Sequence, residues 1–281
     1  MLTVLEIGAR GGFHPRWLAL GSDVQIIGID ADPEECSRLN LVQSAVAARY
    51  VAATLGREDG AKATLYSTAE PGCSSLFEPN HAYLSQFPHG RTAYQVQATQ
   101  PVTLTRLDTL CGRESIAPDV IKIDMNGTEL DILHGGEETL TYASLVELDV
   151  EFNPLYIGQP LFGDCDSYLR ARGFSLLGLR RTAWRRDQVG ILGGTVVQAD
   201  ALWIREPTDT AAQTRCGLAL LAYQQRDYAR SLGFSVQPYA QSVPQRLIGR
   251  VLSRLQSHRE WRGWLDHSRR TAEDWQDSDF F

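Results

Sequence analysis

Leu2-Thr3-Val4-Leu5-Glu6-Ile7-Gly8-Ala9-Arg10-Gly11-Gly12 is an apolar run closed by an acid and a knot of glycines. An apolar strand followed at once by a tight glycine turn is how doubly wound sheets bring backbone N–H groups and the start of the next helix close to a bound cofactor. The spacing narrows the choice. A dinucleotide fingerprint beginning at Gly8 needs glycines at positions 10 and 13, where Arg10 and Phe13 stand instead. Glu6, two residues ahead of the first glycine, would repel a pyrophosphate and suits the cationic end of a different molecule. The next apolar stretch closes on Ile26-Ile27-Gly28-Ile29-Asp30-Ala31-Asp32-Pro33. It puts the Asp30 carboxylate about where such folds grip a ribose hydroxyl pair. The plainer role for Asp30 is to cap a helix beginning near Pro33, and Asp32 is equally suited to that.

Loop and acid, in strand-loop-helix-strand-acid order, favour S-adenosylmethionine, whose sulfonium and amino group are positive. The expected cofactor contacts are Glu6, Gly8, Ala9, Arg10, Gly11, Asp30 and Ala31.

Working outward, short apolar runs alternate with helix-length segments over about the first two hundred residues, the pattern of βαβ units feeding a mostly parallel sheet. Strands are expected near 3–7, 25–30, 47–54, 120–124, 145–151, 174–179 and 199–205. The fold class is therefore α/β, a Rossmann-like doubly wound sheet. Between the third and fourth strands lies an insertion, 56–106, with β-like pieces at 63–66, 94–98 and 102–105 and a loop rich in Pro, Gly, Ser and His. Composition shifts at Arg205-Glu206-Pro207, after which strand signals vanish and helical stretches follow at 211–232 and 244–266. The domain reading is a cofactor-binding domain over 1–205 and a helical C-terminal extension over 206–281.

A specific resemblance enters between 101 and 179. Leu107-Asp108-Thr109-Leu110 precedes Ile121-Lys122-Ile123-Asp124-Met125-Asn126-Gly127-Thr128-Glu129-Leu130-Asp131-Ile132-Leu133-His134-Gly135-Gly136. This resembles the FkbM family of S-adenosylmethionine-dependent methyltransferases, with its LD-x-L step and KID-x-x-G-x-E-x-x-x-L-x-G stretch. Glu151-Phe152-Asn153-Pro154-Leu155-Tyr156 and Gly72-Cys73-Ser74-Ser75-Leu76 are similar to further family segments. The resemblance covers roughly 1–205 and leaves the extension unexplained. It implies a class I methyltransferase sheet with the last strand antiparallel, and O-methylation in natural-product, glycan or lipid biosynthesis. Asn126 and Gly136 depart from the family pattern, so neither is given a chemical role.

Methyl transfer is an in-line displacement in which positioning supplies much of the rate, and an alcohol acceptor must also lose a proton. Asp124 and Glu151, at the carboxyl ends of the expected fourth and fifth strands, are the candidate bases. Asp124 is placed nearer the cofactor and counted among its contacts. Glu151, beside Asn153 and Tyr156, is placed toward the acceptor. Ser74 and Ser75, in the insertion, are further candidate substrate contacts. Thr128-Glu129 reads first as a capping box with Thr128 as the N-cap. A hard divalent cation held by Asp124, Glu129 and Glu151 is conceivable. No metal is assigned.

The chain has 281 residues, 43% hydrophobic and 22% charged, which is enough for one large core plus an appendage. A formal charge of −7 argues against nucleic acid as partner, since phosphate binding needs a basic face. A small-molecule, glycan or lipid-linked acceptor is expected instead. The five cysteines, with no CxxC pair and no Cys/His cluster at zinc spacing, read as reduced thiols. With no signal peptide or membrane-length apolar run, this points to the cytoplasm. In 244–266, Arg246, Arg250, Arg254 and His258 line one face of an amphipathic basic helix. Its sharper reading is a peripheral membrane dock; the plainer, preferred one is a helix packed on the catalytic domain or on a second subunit in a homodimer. The rival to an enzyme is a scaffold protein that kept the fold and recruits a partner through its C-terminal helices.

Overall fold

The structure, a computed structural model, describes residues 1–186 and 194–234. Seven strands form the main sheet: β1 (Leu2–Ile7), β2 (Val24–Asp30), β3 (Ala47–Ala52), β4 (Val120–Ile123), β5 (Leu145–Glu151), β6 (Ser175–Trp184) and β7 (Thr195–Ile204). Their order is β3-β2-β1-β4-β5-β7-β6. Strand β7 runs antiparallel to both of its neighbours, and the other pairings are parallel. This is the expected class I methyltransferase sheet with its last strand reversed. The order turns at β1 and β4, and ligands of such sheets sit in the crevice outside the carboxyl ends at that turn.

Strands β1, β2 and β4 are largely apolar because both faces of the sheet are covered, whereas β5 alternates apolar residues with acids. Leu5, Ile7, Ile29, Ile121, Ile123, Val146 and Leu148 belong to a core on one face, with Leu110, Ile132 and Leu169 from the helices Leu107–Glu114, Glu129–Gly135 and Phe162–Arg170. Leu2, Val4, Ile26, Val120 and Leu145 share the opposite core with Trp17 and with Cys216, Ala219 and Leu220 of the helix Thr210–Ala222. Burying one such leucine contributes about 1.5–3 kcal/mol.

The helical stretch expected at 211–232 is thus two helices, Thr210–Ala222 and Arg226–Ser231, split where Gln224 adopts φ 60. Both lie within the compact unit Met1–Phe234. The basic stretch 244–266 lies outside the described residues. Among the described residues, no helix is long and apolar enough to cross a membrane.

The insertion contains an antiparallel ribbon, Lys62–Thr68 with Val96–Thr103. The second strand runs straight through Pro101, where two pieces were expected. A ribbon has a free edge on which a missing N–H costs nothing. Short helices His81–Leu84 and Pro88–Ala93 complete the insertion.

Candidate active site

The glycine turn lies where the sheet order reverses. Gly8 has φ 85, and a Cβ there would collide with the Asp124 carbonyl oxygen at the end of β4. Only glycine lets the two strand ends approach so closely. The amides of Gly8 and Ala9 both donate to Ile29 O, at 2.9 and 3.0 Å, Gly12 N to Ala9 O, and Gly11 N to Glu35 Oε1. These donors hold the turn to β2 and the helix Pro33–Asn40. What the turn offers a ligand is therefore a Cβ-poor surface more than a row of N–H groups, and at Gly11 a Cβ would meet only open space.

Glu6 lies beneath this turn, 4% exposed. One carboxylate oxygen accepts Trp17 Nε1 at 2.6 Å and the other accepts His14 N at 3.0 Å, so the acid ties down the far side of the turn. Burial pushes its pKa up, against the pull of nearby Lys122. In place of an α-helix after the turn there is a 3-10 segment, Pro15–Asp23, with Trp17 and Leu20 buried and Gly21 in a non-helical conformation. The His14 ring, whose Nδ1 accepts Arg16 N, has its pKa lowered to about 3, chiefly by burial, and is neutral.

Asp30 closes β2 with its carboxylate accepting Asp32 N at 2.9 Å. Asp32, not Asp30, is the cap of the next helix, accepting Glu34 N and Glu35 N. The plainer role proposed for Asp30 is thus already filled, and burial raises its pKa. Arg10 reaches across to Asp32 Oδ2 at 3.2 Å, which draws the turn and β2 together. Ala31, half-buried, sits between the two acids. All seven expected cofactor residues therefore gather at the ends of β1 and β2, with Asp124 beside them.

Beyond the turn the same sheet face becomes charged. Register aligns Glu6 with Lys122 and Lys122 with Glu147. Arg16 grips both oxygens of Glu147, at 3.1 and 3.2 Å, and the Tyr223 hydroxyl donates to it at 2.6 Å. One step further up the strands, Lys122 Nζ pairs with Asp124 Oδ2 at 3.0 Å. Asp149 is opposite Asp200, and Asp200 pairs with Arg180. Asp124 has a side chain 41% exposed and opens outward, whereas Glu151 is 3% exposed. Burial and mutual repulsion push the Asp149 and Glu151 carboxyls well up. Glu129 rises to about 7, chiefly by burial, although it accepts Met125 N at 2.7 Å. Thr128 does not cap: its hydroxyl donates back to Met125 O.

Lys122, Arg16, Glu147, Asp149 and Asp200 join the site although no sequence motif assigns them to it. The signal for two of them was present, because Glu147, Asp149 and Glu151 alternate on one face of an otherwise apolar strand.

Of the expected substrate residues, Ser75 and Tyr156 form the joint between the insertion and the sheet. Ser75 donates its hydroxyl to Asn126 O at 2.7 Å, and Asn126 Nδ2 donates to Gly72 O and Ser74 O. Tyr156, with no exposed surface, donates to Cys73 O at 2.8 Å. Ser74 Oγ accepts Thr68 N, and Asn153 Nδ2 donates to Val196 O. None of these five side chains is idle, and Ser75 and Tyr156 present no hydroxyl to open space.

No curated protein matches the chain by sequence. Among solved structures, it is similar to a magnesium protoporphyrin IX methyltransferase from Synechocystis PCC 6803 with bound S-adenosylmethionine. The identity is 12% over 73% of this chain and 70% of that one, with TM-score 0.40. A TehB-like S-adenosylmethionine-dependent methyltransferase from Corynebacterium glutamicum is 13% identical over 73% of this chain and 80% of its own, with TM-score 0.36. Residues 6–176 match the methyltransferase FkbM domain, from the end of β1 into β6, and the chain belongs to that family of S-adenosylmethionine-dependent methyltransferases.

Proposed function

We propose that the chain methylates a hydroxyl of a small or medium-sized acceptor, such as a natural product, a glycan or a lipid-linked sugar. The observation that supports this reading is the file of carboxyl groups leading from the cofactor rim at Asp124 to Asp149 and Asp200. An alcohol gives up a proton as it is methylated, and the site must receive it.

The residues present fit S-adenosylmethionine: the turn has no Cβ where a ligand must come close, and the acid closing β2 is left uncommitted to helix capping. When bound, this cofactor supplies an electrophilic methyl group on a sulfonium. Asp30 holds the ribose hydroxyls, and Gly8, Ala9, Gly11 and Ala31 form the wall beside them. Glu6 acts from below by fixing the turn, while Arg10 closes its outer side through Asp32. Asp124, half-exposed with its Oδ2 paired to Lys122, would face the cofactor's charged end.

The acceptor's proton goes to an Asp149 carboxylate oxygen, with Glu151 buried behind it. Burial and crowding by like charges raise the pKa of the Asp149 carboxyl, so it accepts the proton only in its ionised form, and the acid limb of the pH profile reports that form. Ser74 and Asn153 line the acceptor side, and Ser75 and Tyr156 set its shape by anchoring the insertion.

The test is transfer of a labelled methyl group to a panel of sugar and polyketide-type alcohols by the parent, Asp124→Asn, Asp149→Asn and Glu151→Gln. Loss of a general base lowers kcat by about 10²–10⁴-fold. The expected result is a loss of that size in Asp149→Asn, with S-adenosylmethionine affinity unchanged and the acid limb of the pH profile altered. Methylation at nitrogen or carbon, or full kcat in all three variants, overturns the proposal.

A further inference from the structure

The insertion brings together three side chains that the sequence keeps apart. Glu70 precedes the 3-10 turn Pro71–Cys73, Cys73 ends it, and His89 lies in the helix Pro88–Ala93. Their ligand-capable oxygen, sulfur and nitrogen atoms all lie within 4.8 Å of one another. We propose that Glu70, Cys73 and His89 bind a zinc ion that clips the turn of the insertion to its helix.

The chemistry selects the metal. A thiolate, an imidazole and a carboxylate form a mixed set that zinc accepts in tetrahedral geometry, and the thiolate disfavours magnesium and calcium. With bonds of about 2.0–2.3 Å, neighbouring ligand atoms around zinc are on the order of 3.5 Å apart. Closing from the observed spread takes roughly an ångström of side-chain movement. On binding, the Cys73 thiol releases its proton to solvent. The fourth position falls to water.

The backbone under the cluster is already fixed. Glu70 N donates to Ala93 O at 3.0 Å, Ala69 N to Gln95 O at 2.8 Å, and Cys73 N to Glu70 O at 2.8 Å. The turn bearing two ligands is thus bonded to the end of the helix bearing the third. The surroundings suit a metal centre as well. Cys73 is buried with the Tyr94 hydroxyl against its sulfur. The His89 ring meets Tyr94 and Trp184 edge-on, with centroids 6.1 and 5.1 Å away, which fixes its plane. Such outer contacts orient metal ligands and are worth about 10–100-fold in affinity where they are removed.

The short Glu-x-x-Cys step with its distant histidine is not a zinc spacing in the sequence, and only the fold brings the three together. Its place gives it a consequence: Cys73 O accepts Tyr156, and Gly72 O and Ser74 O accept Asn126, so the clipped turn is the one that joins the insertion to the ends of β4 and β5.

The experiment uses the untagged full-length chain, stripped with chelator and titrated with Co²⁺ and then Zn²⁺, with no methyl acceptor present. One equivalent of Co²⁺ is expected to give the near-ultraviolet thiolate-to-cobalt charge-transfer band, which Zn²⁺ displaces. Cys73→Ser abolishes the band, and His89→Gln and Glu70→Gln each weaken Zn²⁺ in chelator competition by about tenfold or more. Glu70 is exposed, so its variant decides the matter even if Cys73→Ser fails to fold. No thiolate band, a band that survives in a folded Cys73→Ser, or unchanged Zn²⁺ affinity in Glu70→Gln overturns the proposal. S-adenosylmethionine binding, measured on the same samples, reports separately on the methyltransferase site.

Discussion

The two halves of the sheet's carboxyl edge are built in different ways. At β1 and β2 the edge is made of backbone: glycines at positive φ, amides donated to Ile29 O, and acids at the end of β2 or two residues beyond it. At β4, β5 and β7 it is made by side chains that reach over long sequence separations to other side chains or to carbonyls, as in Arg16 with Glu147, Ser75 with Asn126 O and Tyr156 with Cys73 O. The first kind tolerates almost no change at its few fixed points and leaves a clear mark in the sequence. The second spreads its energy over many bonds and leaves little mark.

The sharpest way to break this contrast is Gly8→Ala. An added Cβ meets the Asp124 carbonyl, and the left-handed φ opposes it too. The turn must move off β4, so S-adenosylmethionine binding by calorimetry is expected to weaken and kcat to fall by about 100-fold or more, the rate that a 1 Å misplacement already costs. Gly11→Ala, with open space at its Cβ, strains φ alone and should cost less. Equal losses would mean that conformation and not close approach sets the position.

Asp30→Asn comes next. It keeps the acceptor for Asp32 N while removing the charge, so the fold should hold. Hydrogen bonds to charged groups are worth about 1.5–3 kcal/mol, which corresponds to a roughly tenfold to hundredfold weaker Kd for the cofactor. An unchanged Kd would take Asp30 out of the ribose site.

On the other half, Tyr156→Phe removes one bond of the insertion joint. The buried Cys73 carbonyl then lacks its donor, at a cost of about 1–3 kcal/mol, or several degrees in Tm. Acceptor KM should rise while S-adenosylmethionine affinity stays level. If both affinities change together, the two halves are not separable.

This difference also explains what could be read from the chain. The turn, Asp30 and the seven strands are local patterns, and they lie where the residues put them, save that β6 runs on to Trp184 and β7 begins at Thr195. Within the FkbM-like stretch, Asp108 proves to bind Thr139 N and Oγ1, and Gly135 packs on Gly56 O, so part of that motif marks packing as much as chemistry. Glu6 was legible as important, but its partners Trp17 and His14 were not, because a 3-10 segment replaces the expected helix. The roles of Ser75 and Tyr156 were hidden for a plainer reason: a hydroxyl in a loop looks alike whether it meets a ligand or a carbonyl 51 or 83 residues away.

The smallest effect concerns the charge of the side-chain-built half. Glu129 is held near a pKa of about 7, against 4.5 for an ordinary glutamate, chiefly by burial. The folded state thus binds this proton more tightly than the unfolded chain does. Its stabilising effect is complete below about pH 4.5 and is lost as pH rises through about 7. His14 acts in the opposite sense: lowered to about 3, it supports the fold above its unfolded value near 6.5 and less so as pH falls. The windows overlap, so the parent's melting curve alone mixes them, whereas the pair of parent and Glu129→Gln separates them. The amide keeps an acceptor for Met125 N and never ionises. The variant's Tm minus the parent's is therefore expected to grow by a few degrees between pH 5 and pH 8. A flat difference would mean that Glu129 is charged throughout, with the Met125 amide outweighing burial, and the acceptor side would then be organised by its backbone, as the cofactor side is.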